Sequence, residues 1–296
     1  MRKKVCRIDG AKLERVVKRA KLETERVSKR AKQAVPAEFR RKRPMVPAGK
    51  TKEQMLRDAV CSDAPEEALR YHGYQLIAGI DEVGRGALFG PVVAAAVILP
   101  RRNARLQRLG LRDSKQLTRE EREKLDREVR KAAIAFAIGE VDAQGIDTIN
   151  IYQASRLAMR LAVEGLQQQP DHLLIDALHI EHSCAQTKII YGDSLSISIA
   201  AASVIAKVHR DAMMRELDAL YPHYGLANHK GYATPEHRAA LKKHGPCDLH
   251  RKSFAPVANF YGADALQLAL ENEERLQEEA LREYDTLEEN DLCLED

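Results

Sequence analysis

LIAGIDEVGRGALFGPVVAAAVILP (76–100) decides how this 296-residue chain is read. Its two ends are apolar runs of strand length. LIAGID (76–81) stops in an aspartate followed by Glu82, and PVVAAAVILP (91–100) is bracketed by prolines. Short apolar runs bounded by turn residues are the mark of buried strands. Between them lies EVGRGALFG (82–90), rich in glycine, so the two strands are expected to form a hairpin with a wide, specialised turn. Asp81 and Glu82 then stand where a strand gives way to that turn.

Working outward, Thr118 followed by Glu121 makes a capping box that opens a helix running to about Lys131. AIAFAIGEV (133–141) is a third strand. IYQASRLAMRLAVEGL (151–166) has helical spacing with Asn150 as its N-cap. HLLID (172–176) and TKIIYGD (187–193) are short strands, each ending in an aspartate. ISIAAASVIAKVHRDAMMRELDALY (197–221) is a long helix rich in small residues, and a final helix begins at Pro235. Three strands, then helix, strand, strand and helix, predict an α/β domain with a mixed sheet and packed helices.

Asp81, Glu82, Asp176 and Asp193 all fall where a strand is expected to stop. A single acid there is usually solvated or turn-forming; four together are harder to dismiss. Neighbouring strand ends lie about 5 Å apart, and carboxylates brought that close repel unless cations join them. With no Cys or His in the set, an all-oxygen site favours Mg²⁺ or Mn²⁺ over zinc. Two such ions about 4 Å apart are the usual machinery for phosphodiester cleavage. Alternation along a strand turns Asp81 and Glu82 to opposite faces unless the strand ends between them. Asp81 is therefore the firmer ligand, and Glu82 contributes through its carboxylate or its carbonyl. The Gly84-Arg85-Gly86 turn lets backbone amides approach a ligand and gives Arg85 reach to a phosphate or sugar. No Gly-Lys-Ser/Thr follows it, so it is not a P-loop.

Composition limits the rest. Without tryptophan and with 5% aromatic residues, a stacking-rich single-strand binder is not indicated. Five scattered cysteines, never spaced Cys-x-x-Cys, argue against a disulfide framework or a zinc ribbon. The absence of a long apolar run or a secretory pattern predicts a soluble, cytoplasmic protein without membrane contact. Charge is unevenly spread. Residues 1–50 hold 18 Lys/Arg against 5 Asp/Glu, whereas 264–296 hold 13 acids against 2 arginines. Three regions are expected: a basic, partly helical or disordered extension (1–72), a catalytic domain (73–262) and an acidic tail (263–296). The basic arm reads either as a solvated tail or as a phosphate-binding segment. HIEHSC (179–184) has a metal-like look but reads as a polar connecting loop. His209 and Arg210 read as charged-face residues of their helix.

AGIDEVGRGALFGPVVAAAVIL (78–99) resembles the opening motif of the ribonuclease HII family. DSKQL (113–117), NIYQASRLAMRLAV (150–163), LLIDA (173–177), GDSLSISIAAASVIAKVHRD (192–211), HKGYATPEH (229–237) and HGPCDLHRKSF (244–254) follow in the family's order. The resemblance implies a ribonuclease H-like five-stranded mixed sheet flanked by helices, with a helical C-terminal part. It implies an endonuclease that hydrolyses the RNA strand of RNA–DNA hybrids and nicks at ribonucleotides embedded in duplex DNA. Two Mn²⁺ or Mg²⁺ ions would serve as cofactor, and the ends left would be 5′-phosphate and 3′-hydroxyl. The catalytic and metal-binding acids fall on Asp81, Glu82, Asp176 and Asp193. Substrate contacts fall on Gly84, Arg85, Gly86 and Tyr232, which read the ribose 2′-OH, and on Ser114 and Lys115, which meet phosphate. A monomer is expected. Ala177 stands where the family usually has glycine, and Phe89 where it usually has a small residue, which predicts crowding of the second strand. The competing reading is a non-catalytic nucleic-acid scaffold working through its charged tails.

Overall fold

The structure, a computed structural model, describes residues 61–262. Its centre is a five-stranded sheet in the order β3-β2-β1-β4-β5. Strands β1 (Ile77–Val83) and β2 (Val92–Ile98) form the expected antiparallel hairpin, with Asp81 opposite Ala95 and Glu82 opposite Ala94. Strand β3 (Ala135–Val141) extends it antiparallel on the far side of β2. On the other flank, β4 (His172–Asp176) runs parallel to β1, and β5 (Ala185–Ile189) runs parallel to β4. β2 is buried throughout, which is why it reads as an unbroken apolar run.

Helices cover both faces, and glycines let them come close. A Cβ on Gly79 of β1 would lie 2.1 Å from the backbone of Ser198 in α6 (Ile197–Leu220). A Cβ on Gly139 of β3 would lie 2.2 Å from the Ala158 carbonyl in α4 (Ala143–Glu164). The face shared by Val93, Ala95 and Val97 packs on α6 together with Leu125 and Val129 of α3 (Arg119–Ala132). α3 has the expected capping box: Thr118 accepts from the Glu121 amide, and Glu121 accepts from the Thr118 amide. A short helix α2 (Ala104–Arg108) fills the path from β2 to α3.

The structure corrects several boundaries. α4 begins at Ala143, not at 151, capped by Asp142 on the Gly145 amide at 2.8 Å. It is broken at Asn150 (φ 66°, ψ 166°), whose side chain accepts from the Gln153 amide at 3.0 Å. The expected N-cap is present, but it restarts a helix already under way. β5 ends at Ile189, because Tyr191 turns left-handed (φ 60°) and a one-turn helix α5 (Gly192–Leu195) follows. Asp193 therefore sits on that turn rather than at a strand end. After α8 (Pro235–His244) comes one more short helix, α9 (Ala255–Ala258), so the helix from Pro235 is not the last. Residues 61–72, expected in the extension, include helix α1 (Ala64–Tyr71), whose Leu69 packs with Ile77, Leu174 and Ile199. Phe89 does not crowd β2. Its buried ring enters a separate apolar cluster with Met214, Tyr224, Leu226 and Val257 beneath the C-terminal helices, which include α7 (Leu226–His229). Among the described residues no helix is long and apolar enough to cross a membrane.

Candidate active site

Parallel register sets the first two acids side by side. Ile80 pairs with Ile175 across β1 and β4, so Asp81 and Asp176 follow as neighbours on adjacent strands. β1 continues to Val83, so alternation holds. Asp81 shares the α6 face with Gly79 and Ala95, while Glu82 shares the opposite face with Ala94 and Gly139. The α5 turn brings in the third strand-flanking acid: the Gly192 amide donates to Asp176 Oδ1 at 2.7 Å, and Asp193 is the next residue.

The four carboxyls crowd one another electrostatically. Burial raises Asp81 well above the usual carboxylate range, and the charges of Glu82, Asp176 and Asp193 push the same way against a hydrogen bond from Ser203. Burial lifts Asp176 to about 7, with the Gly192 amide opposing and Asp193 and Glu82 adding to the rise. Asp193 is raised by burial against the nearby ammonium of Lys115. Glu82 is raised by burial against Arg85. Among the described residues two cations answer this charge: Lys115 Nζ lies 3.3 Å from Asp193 Oδ2, and Arg85 Nη1 lies 3.3 Å from Glu82 Oε1. Glu82 Oε2 is buried with no hydrogen-bond partner. As they stand, no three or more His, Cys, Asp or Glu side chains among the described residues gather around a single metal position. The donor chemistry, all carboxylate oxygen with an orphaned buried atom, nevertheless suits a hard divalent cation.

The glycine turn and Tyr232 form one unit. Ala87 bridges Tyr232, and the Leu88 amide donates to the Gly231 carbonyl at 2.8 Å. Two fully buried arginines hold the turn from below. Arg210 donates to the carbonyls of Pro91, Phe89 and Lys230, and Arg251 donates to those of Gly90 and Arg85, all at 2.7–3.1 Å. Gly84 has φ 92°, and a Cβ there would meet Arg210 Nε at 2.3 Å. The fold itself demands glycine at that position. Gly86 is different: it is exposed, and a Cβ there would meet nothing within 4 Å. Burial depresses the Arg251 guanidinium to about 9, and Arg210 adds to the fall. The reading of Arg210 as a charged-face residue is therefore wrong. It lies in line with buried Ala206 and Met214 at four-residue spacing, which was the available signal.

A directed chain of hydrogen bonds ends on Tyr232. The Cys247 amide donates to His250 Nδ1 at 3.0 Å, so the proton of neutral His250 lies on Nε2. Nε2 is 3.2 Å from His237 Nε2, which leaves the His237 proton on Nδ1 for the Tyr232 carbonyl at 3.0 Å. Both rings are fully buried, and burial lowers both pKa values. Neither histidine, nor Ser203, nor Arg251, is visible as a site residue in the sequence: Ser203 and Arg251 act through partners 89 or more positions away, and the histidines through a backbone carbonyl and each other, which no spacing announces.

Ser114 is buried, with its hydroxyl 2.9 Å from Ser203 Oγ. Lys115 beside it is largely exposed. Ala177 takes φ 52°, a left-handed conformation that suits glycine, so the glycine expected there would have met no strain. In the HIEHSC segment, His182 Nδ1 accepts from the Cys184 amide at 3.1 Å and Cys184 Sγ donates to the Pro170 carbonyl, as in a structured connecting loop.

The ribonuclease HII family model matches residues 78–257, from within β1 to within α9. A ribonuclease HII from Koribacter versatilis is 57% identical over 210 residues, covering 71% of this chain and 82% of that protein. The crystal structure of ribonuclease H2 from Pyrococcus horikoshii superimposes with a TM-score of 0.55 at 24% identity, over 62% of this chain and 96% of that one. A Bst-RNase HIII solved in complex with Mn²⁺ shares the fold at 20% identity and TM-score 0.51, over 74% of each chain. Sheet order, motif order and sequence identity thus converge: the chain belongs to the ribonuclease HII family, endonucleases that hydrolyse the RNA strand of RNA–DNA hybrids.

Proposed function

We propose that Asp81, Glu82, Asp176 and Asp193 hold two divalent cations, Mn²⁺ or Mg²⁺. With them the chain cuts RNA in hybrids and nicks duplex DNA at single embedded ribonucleotides, leaving 5′-phosphate and 3′-hydroxyl ends. The observation that carries this reading is the crowding of four largely buried carboxyls, each raised by burial, with only Lys115 and Arg85 among the described residues to answer them. When bound, such ions supply an activated water for in-line attack and neutralise the leaving oxygen. The chain's own residues supply the frame. The Gly192 amide fixes one Asp176 oxygen, and Ser203 orients Asp81 while Ser114 holds Ser203. Ser114 thus supports the site from inside, and the phosphate contact falls to the exposed ammonium of Lys115.

Discrimination of RNA from DNA requires a group that senses the ribose 2′-OH. The Gly84-Arg85-Gly86 backbone and the Tyr232 ring, clamped to each other and to two buried arginines, form a rigid reader for it. Rigidity matters because a reader that gives way by an ångström loses the contact that separates one sugar from the other.

The test is a duplex carrying one ribonucleotide, incubated with Mn²⁺ and resolved on a denaturing gel. Wild type should nick beside the ribonucleotide. Asp176→Asn should lose at least ~10³-fold in rate while binding the duplex normally, because it removes charge from the cluster and leaves the reader intact. Near-wild-type turnover in that variant removes the mechanism, and no nick with any divalent ion would leave a binding scaffold.

A further inference from the structure

Among the groups that the proposed chemistry does not use, the best placed is Glu66 on α1, outside the stretch matched by the family model. It is 2% exposed, and one of its oxygens receives three hydrogen bonds. Oε1 accepts from Ser196 Oγ at 2.6 Å, from the Ser198 amide at 3.0 Å and from Ser198 Oγ. Oε2 is buried without a partner. These donors belong to the junction between α5 and α6. Ser196 is the N-cap of α6, bonding the Ile199 amide, and its own amide closes the α5 turn on the Gly192 carbonyl at 2.8 Å. Backbone bonds from Ser62 to Leu195 and Ile197 tie the same segment down. That turn carries Asp193, and through the Gly192 amide it grips Asp176.

We propose that Glu66 is a positioning residue for the cleavage reaction: by holding the α5–α6 junction it fixes the turn that presents Asp193 and orients Asp176. The proposal rests on the reading of those two acids as catalytic. A negative charge at the N-terminus of a long helix is favourable in itself, but a cap alone does not require a carboxylate supplied from a distant segment. Here one oxygen gathers the N-cap hydroxyl, the second amide of α6 and a second hydroxyl, so its loss frees the junction in three places. The effect belongs on turnover rather than on substrate binding, since the glycine turn and Tyr232 lie elsewhere.

The test uses the full chain with Glu66→Ala, Glu66→Gln and Leu69→Ala, assayed for kcat, KM and thermal midpoint on an RNA–DNA hybrid with saturating Mn²⁺. Glu66→Ala should lose about 30-fold or more in kcat with KM within about twofold. Glu66→Gln, which keeps an acceptor oxygen, should recover most of that loss. Leu69→Ala, on the same helix but facing the apolar cluster, should lower the midpoint by several degrees, on the order of 4 °C, while kcat holds. If Glu66→Ala does not fold, Ser198→Ala removes one of the three donors, the Ser198 hydroxyl, and should show a smaller loss that is again confined to kcat. A folded Glu66→Ala with wild-type kcat, or a kcat loss equal in Leu69→Ala, overturns the proposal. Asp176→Asn run alongside separates the two failures: if it remains active the catalytic reading falls, and if it is dead while Glu66→Ala is active only the positioning role falls.

Discussion

Single residues differ in whether the fold or the ligand explains them. Gly84 has a left-handed φ and touches Arg210, so packing alone accounts for it; Gly86 has neither constraint. Under the proposed function its role faces outward, toward a ligand that approaches the backbone. Gly86→Ala should therefore keep the thermal midpoint or raise it slightly, by ~0.4–1 kcal/mol of added stability. The same variant should lower kcat/KM on hybrids by about tenfold or more; unchanged kinetics would mean the turn does not meet the substrate there. His250 offers a second test. Burial, and then His237, push it down to about 3 from an ordinary 6.5. Below pH 6.5 the unfolded chain takes up a proton that the folded chain refuses, so the stability present at neutral pH drains as pH falls toward 3. The raised carboxyls act in the opposite sense, so the quantity to follow is the difference between wild type and His250→Gln. Between pH 7.5 and 4 that variant should lose less of its thermal midpoint than wild type. The acids were legible in the sequence because they end or follow short apolar runs. The buried arginines and histidines were not read: the spacing that places Arg210 in line with Ala206 and Met214 marks burial but not the distant carbonyls it meets, and nothing local marks Arg251 or the His237–His250 pair.

At the level of elements, signals that close within four residues were readable and the others were not. The capping box at Thr118 and Glu121 set the start of α3 at the right residue. Asn150 was read correctly as a cap, but the helical stretch before it was missed, because AQGIDTI lacks an apolar stripe and is held instead by its own Asp142 cap. The result is a break inside α4 at a backbone conformation (φ 66°, ψ 166°) that suits glycine and costs other residues roughly 1–3 kcal/mol. Asn150 offsets part of that cost through its bond to the Gln153 amide. Two substitutions separate the contributions. Asn150→Ala loses the cap and keeps the strain, whereas Asn150→Gly loses the cap and relieves it. In denaturant unfolding the glycine variant should be the more stable of the two by about 2 kcal/mol. Equal stability would mean the break carries no strain. The ending of β5 was misplaced for a related reason: Tyr191 turns left-handed without a glycine or asparagine to announce it.

Across the sheet, the hairpin of β1 and β2 joins neighbours in sequence, whereas the parallel pairing of β1 with β4 joins residues nearly a hundred positions apart. Periodicity carries no information about that second kind of contact, yet it is the one that sets Asp81 beside Asp176. The sequence carried no register for it, only the expectation that acids at neighbouring strand ends would converge. Charge asymmetry is the other property that exists only at this scale. The basic arm, residues 1–50, and the acidic tail lie outside the described residues, so the argument about them is one of charge alone. Against 5 acids the arm holds 18 lysines and arginines. Each phosphate they neutralise should steepen the dependence of log affinity on log salt by about 0.9. If about three of them engage a hybrid, affinity should fall by roughly a further 40-fold between 50 and 200 mM salt, relative to a chain without residues 1–50. Anisotropy titrations of a labelled hybrid, in the Asp176→Asn background to prevent cleavage, measure both slopes. A steeper slope for the full chain assigns the arm to the substrate. Matching slopes would remove it from the interface and leave the acidic tail as the better candidate for what those cations meet. In that case deletion of 264–296 should strengthen hybrid binding at low salt, because it releases the arm.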